Sequence, residues 1–116
     1  RNVGNKIGWW NEKYFFYGED LDFCYQLQQN GFTLYFNPLC QITHFQGISS
    51  GIKKQSNKIS QATRQTKILA AKSSTDAMKI FYQENLFKNY SVITQKIVLL
   101  GIKLLEIKRI FRDKYL

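Results

Sequence analysis

The sequence predicts an α/β fold followed by α-helices, within a single small domain of 116 residues. In residues 1–51, short aromatic and β-branched runs alternate with turn residues, which is typical of strands. An acidic cluster lies where the first expected strand meets a helix. Residues 52–116 instead have apolar positions at helical spacing. We therefore predict that residues 1–51 form the functional portion of the chain and that residues 52–116 form a basic helical tail.

Three segments of the first portion are expected to be strands. Residues 15–17 are all aromatic, and residues 33–36 (TLYF) combine a β-branched residue with two aromatic ones. Asn37 and Pro38 then turn the chain into a third short strand over residues 40–44.

The acidic cluster follows the first expected strand in the stretch FFYGEDLDFC, residues 15–24. Gly18 suits the turn, and Asp20 can cap a helix from Leu21 to about residue 30, with Gly31 as its stop. The positive end of a helix favours negative charge, so a carboxylate here could serve as a general base. Acidic residues in a first helical turn are also common as simple stabilisers of the helix.

Two adjacent tryptophans, Trp9 and Trp10, precede this stretch. Neighbouring side chains of an extended segment point to opposite sides, so one ring could pack inward while the other lines a cleft. A tryptophan in a cleft is a natural platform for the apolar face of a sugar ring. The alternative is that both rings cover the core.

The second portion is expected to be helical from about residue 60, in two pieces before residue 89, the second beginning near Ser74. A last helix is predicted from Ser91 to about Phe111. Its apolar positions follow a 4-3-4-3-4 spacing and form one narrow stripe: Ile93, Ile97, Leu100, Leu104, Ile107 and Phe111. We expect this stripe to be buried in the domain, in another subunit or in a membrane interface.

The charge is unevenly distributed. The whole chain carries +9, but residues 1–51 hold three Lys or Arg against four Asp or Glu, and residues 52–116 hold fourteen against four. A basic half attracts anions such as nucleotide phosphates or anionic lipid. No nucleic-acid-binding motif is recognisable, and nucleic acid is not an expected partner. Cys24 and Cys40 are expected to be reduced and buried.

The single histidine, His44, ends the last expected strand, and a loop over residues 46–60 follows. A lone histidine at a strand end is more often structural than a metal ligand. The loop is either a simple linker or a lid that closes over a phosphate-bearing ligand, for which Ser49 and Lys53 are available.

The stretches over residues 8–12 (GWWNE) and 15–24, followed in order by Gly31, Tyr35, Pro38, His44, Gly47 and Ser49, resemble a known family. They resemble the C-terminal part of the catalytic domain of glycosyltransferase family 2, of the rhamnosyltransferase-like kind. The resemblance implies a GT-A fold, in which a Rossmann-like sheet binds a nucleotide-sugar and a divalent metal, Mg²⁺ or Mn²⁺. That family's nucleotide-binding half would precede residue 1, so we expect a fragment that does not catalyse transfer alone.

The resemblance also implies roles for single residues. Asp20 would be the catalytic base with Glu19 beside it, and Trp9, Trp10 and Asp22 would lie on the acceptor side. His44 would be a metal ligand.

The function implied is transfer of a sugar, rhamnose among the candidates, from a nucleotide-sugar to a surface polysaccharide or a lipid-linked glycan. A cytoplasmic location, peripheral on the inner face of the cell membrane, is expected, and a homo-oligomer is among the expected partners. The alternative is a non-catalytic basic helical module that binds an anionic membrane surface or a partner protein.

Overall fold

A computed structural model describes residues 1–43 and 62–115, with side chains as far as residue 112. Over these ranges the regular structure is helical. The α-helices are α1 (Asn2–Ile7), α2 (Glu19–Gln29), α3 (Arg64–Phe81) and α4 (Val92–Tyr115). A π-helical turn (Tyr82–Leu86) and a 3₁₀ turn (Phe87–Asn89) connect α3 to α4.

The predicted α/β fold is therefore wrong for the described residues, which include no strand and no sheet. The expected strand over residues 15–17 is irregular, and residues 32–43 are free of regular secondary structure. A strand requires a neighbouring strand to satisfy its backbone hydrogen bonds, and the described part of the chain supplies none. In residues 32–43 the side chains of Tyr35, Phe36, Leu39 and Ile42 are each 90 % exposed.

The helix after the acidic cluster is confirmed, with a start that differs by two residues from the prediction. The helix begins at Glu19. Its N-cap residue is Gly18, with φ of 92°, and not Asp20 as predicted. At its other end Gly31 has φ of 77°, and the Phe32 N–H donates to the Leu27 carbonyl, so Gly31 is the expected stop.

The two predicted helical pieces before residue 89 are one continuous helix, α3. The Thr63 side chain accepts a hydrogen bond from the Thr66 N–H and caps its start. The predicted helix start near Ser74 is wrong, since Ser74 lies inside α3, where its hydroxyl donates to the Ala71 carbonyl.

The core lies between α3, α4 and the π-helical turn, and α3 contributes mainly small side chains to it. Ala70, Ala71 and Ala77 of α3 are buried, together with Phe87 of the 3₁₀ turn and Ile102 of α4. Small residues allow helices to approach closely, which explains why α3 can pack on two sides. Both cysteines are free, but both are exposed, so the expected burial of the thiols is wrong.

Candidate functional site

The start of α2 is held against α3 by a close backbone approach at Gly18. A side chain at this position would place its Cβ 3.0 Å from the Ala77 Cβ and 3.1 Å from the Tyr14 ring. Its φ of 92° also lies in the left-handed region that other residues avoid. Glycine is therefore needed here for two independent reasons, and the acidic corner is fixed in position relative to α3.

A buried hydrogen-bonded group connects α2 to the π-helical turn. The Asn85 amide donates to the Asp22 carboxylate at 2.7 Å, and its oxygen accepts a bond of 2.9 Å from the Gln26 side chain. The Tyr25 hydroxyl donates to the Asn85 backbone carbonyl at 3.4 Å. A π-helical turn displaces one residue from the α-helical register, and here that turn presents Asn85 to α2.

Asp22 is only 4 % exposed, whereas Asp20 is exposed in the same helical turn. The Asp20 carboxylate accepts a hydrogen bond of 2.8 Å from the neighbouring Leu21 N–H. Asp22 thus supports the corner from inside, and Asp20 is the carboxylate that a ligand could reach. One carboxylate oxygen of Glu19 is buried without a hydrogen-bond partner among the described residues.

Tyr14 is buried near Asp22, and its hydroxyl has no hydrogen-bond partner within the described part of the chain. Burial, followed by the negative charges of Asp22 and Glu84, raises the pKa of Tyr14 well above its usual range. The hydroxyl therefore stays protonated in the field of the Asp22 and Glu84 carboxylates.

A second connection between the N-terminal segment and the π-helical turn lies nearer the surface. The Glu84 carboxylate accepts hydrogen bonds from the Asn11 side chain, at 2.8 Å, and from the Lys13 ammonium group. The hydrogen bond from Lys13 is the main cause that lowers the pKa of Glu84, against the opposing effect of partial burial.

The two tryptophans have different surroundings. Trp9 has φ of 61°, unusual for a residue with a side chain, and its indole N–H donates to Asn5 at 2.8 Å. Its ring covers Gly4 so closely that a Cβ there would lie 2.7 Å from the ring atoms. Trp9 thus packs on α1.

Trp10 instead stacks on Phe23 of α2, with ring centroids 4.5 Å apart, and is 52 % exposed. Phe23 follows Asp20 by three positions, so the two side chains share one face of α2. The partly exposed Trp10 ring therefore lies on the same side of the helix as the Asp20 carboxylate.

The remaining predicted site residues, His44, Ser49 and Lys53, lie outside the described residues. Within the ranges that are described, no group of three or more His, Cys, Asp or Glu side chains is arranged to hold a metal ion. The metal site stays a prediction based on the resemblance.

Sequence reasoning missed the supporting residues Asn85, Tyr14 and Gln26. The Gln26 side chain donates a hydrogen bond to the Asn85 side-chain oxygen. No local pattern distinguishes Asn85 and Gln26, because their hydrogen-bond partners are about 60 positions away in the sequence. Comparison of the chain with protein-family models, curated proteins and solved structures gave no match.

Proposed function

We propose that this chain provides the acceptor side of an inverting glycosyltransferase, with the Asp20 carboxylate as the catalytic base. The observations that carry the proposal are the exposure of Asp20 and the stacking of the half-exposed Trp10 ring on Phe23, three positions after Asp20 in α2. The proposal also relies on the resemblance of residues 8–24 to the rhamnosyltransferase-like enzymes. It does not retain the α/β fold that the resemblance implied.

Some residues at the start of α2 hold the backbone in position, and another is proposed to react. Gly18 and Asp22 fix the corner to α3 and to Asn85, so the Asp20 carboxylate is presented from a held backbone. A carboxylate that is exposed and held in this way can reach an acceptor hydroxyl. The buried Asp22 cannot do so in this arrangement.

The reaction proposed for Asp20 is a single displacement. Its carboxylate takes the proton of the acceptor hydroxyl while that oxygen bonds to the anomeric carbon of the donor sugar. The bond from the anomeric carbon to the diphosphate breaks at the same time, and a nucleoside diphosphate leaves with inversion at that carbon. The Trp10 ring offers the apolar face of the acceptor sugar a flat surface beside the base.

The donor is proposed to be a nucleotide-sugar, with rhamnose as the candidate sugar, and the acceptor a surface polysaccharide or a lipid-linked glycan. Ser49 and Lys53 are the candidates for contacting the donor phosphates, and His44 for holding Mg²⁺ or Mn²⁺. Such a metal would stabilise the departing diphosphate. The described residues offer no ligand group for it, so the role of Asp20 is derived without a metal step.

The test is transfer activity of the complete enzyme with Asp20→Asn. Loss of the base is expected to reduce transfer about a hundredfold or more, while binding of the nucleotide-sugar persists. Asp76→Asn is the matched control, since Asp76 is an exposed aspartate on α3. Unchanged transfer in Asp20→Asn would remove Asp20 as the base.

A further inference from the structure

The α4 helix has one face buried and the opposite face exposed. Ile102 is buried in the core, and Arg109 donates a hydrogen bond of 2.6 Å to the Ser74 hydroxyl of α3. The opposite face contains the apolar stripe predicted from the sequence. The first five residues of the stripe are each between 51 and 73 % exposed: Ile93, Ile97, Leu100, Leu104 and Ile107.

The stripe is narrow and straight. At 100° per residue its members fall within an arc of about 80° around the helix. Along the axis the same five residues extend over about 21 Å. Within the described part of the chain, no residue buries this surface. Of the three alternatives for burying the stripe, the described part of the domain itself does not supply the cover.

Basic side chains border the stripe on both sides. Lys96 and Lys103 lie about 60 to 80° from its centre on one side, and Lys108 lies about 60° away on the other. All three are exposed. The single acidic residue of α4 up to residue 112, Glu106, is turned toward the buried side and pairs with Lys103 at 2.9 Å.

We propose that α4 lies in the plane of an anionic lipid surface. The stripe would enter the boundary between headgroups and acyl chains, with the bordering lysines at the level of the lipid phosphates. This inference depends only on α4 and is independent of the proposed glycosyltransferase function.

Charge decides between this occupant and a second copy of the chain. The 4-3-4-3-4 spacing would also suit a coiled coil, in which residues bordering the seam face each other. In a parallel pair of α4 helices, Lys108 would face Lys103 of the other copy, whose ammonium group already pairs with Glu106. Up to residue 112, no acidic residue of α4 lies beside the stripe to attract Lys108. An anionic surface instead complements Lys96, Lys103 and Lys108 together.

The test is binding of the full chain to vesicles, measured by co-sedimentation. One set contains phosphatidylcholine alone and the other includes about 30 % phosphatidylglycerol as the anionic lipid. We expect the chain to bind the anionic vesicles and to be released progressively by salt. Equal binding to both sets would overturn the proposal.

A basic chain could bind anionic vesicles through charge alone. A variant that changes the stripe but not the net charge therefore tests the contribution of the stripe. Leu104→Gln removes one exposed apolar side chain at constant charge and is expected to weaken binding about tenfold. Leu69→Gln makes the same change at an exposed leucine of α3 and is expected to bind as the unmodified chain does. Equal binding by Leu104→Gln and the unmodified chain would overturn the role of the stripe.

The border is tested by Lys96→Gln combined with Lys108→Gln, which keeps the stripe and removes two charges. Binding to anionic vesicles is expected to fall about tenfold or more and to become less sensitive to salt. Circular dichroism and sedimentation velocity accompany each variant. Self-association through the stripe, without vesicle binding, would overturn the membrane proposal in favour of a second copy.

Discussion

The buried carboxylate of Asp22 accepts a hydrogen bond of 2.7 Å from the side-chain amide of Asn85, 63 positions later in the sequence. This bond joins the acidic corner of α2 to the π-helical turn between α3 and α4. Both side chains are almost fully buried. A buried polar group that has no hydrogen-bond partner lowers the stability of the fold. This pair should therefore contribute strongly to holding α2 in position.

Asn85→Ala is expected to reduce the free energy of unfolding by about 2–3 kcal/mol, because it leaves the buried Asp22 carboxylate without its donor. Urea denaturation followed by circular dichroism measures the change. Asn89→Ala, at an exposed position of the neighbouring 3₁₀ turn, is the matched control and should change stability little. A loss no larger than that of the control would show that the pair does not hold the corner.

Gly18→Ala is expected to destabilise the protein by about 2 kcal/mol, from left-handed strain and from the clash with Ala77. Gly8→Ala separates the two effects. Gly8 has a similar φ of 85°, but a Cβ there meets no atom within 4 Å, so only the strain remains. Thermal unfolding of both variants should place Gly18→Ala clearly below Gly8→Ala, and equal melting temperatures would argue against a tight approach to α3.

The contact between Glu84 and Lys13 should stabilise the fold in a pH-dependent way. Because the folded-state pKa of Glu84 is lowered, the stabilisation is fully present above the ordinary value near 4.5 and is lost as the pH falls through the folded-state pKa. Lys13 is largely exposed, so the effect is expected to stay below about 1 kcal/mol. The difference in unfolding free energy between the unmodified chain and Glu84→Gln should therefore shrink on acidification, and a difference that grows would contradict the assignment.

Trp10→Ala tests the platform proposed for the acceptor sugar. The KM for the acceptor is expected to rise about tenfold in the complete enzyme while the donor KM is unchanged. Trp9→Ala is the contrasting variant, since Trp9 packs on Gly4 and its loss should lower stability first. Equal acceptor KM values for Trp10→Ala and the unmodified enzyme would exclude the platform.

The stop of α2 and the start of α4 followed from local features of the sequence. Gly31 stops α2 through its left-handed backbone, and the Ser91 hydroxyl accepts a hydrogen bond of 3.2 Å from the Thr94 N–H at the start of α4. Such signals act over one or two turns, so a short stretch of sequence contains them in full. The strands could not be predicted in the same way, because an aromatic run becomes a strand only if another segment pairs with it.

The sequence by itself determined the acidic cluster of α2 and the apolar stripe of α4, since both depend on residue types and spacing alone. Tertiary structure decided which side of each helix is buried. Asp20 and Asp22 differ by two positions, or about 200° around the helix, so packing against Asn85 buries one carboxylate and leaves the other exposed. The same rotation turns Ile102 toward the core and leaves the stripe outside, because contacts with distant residues select the buried face.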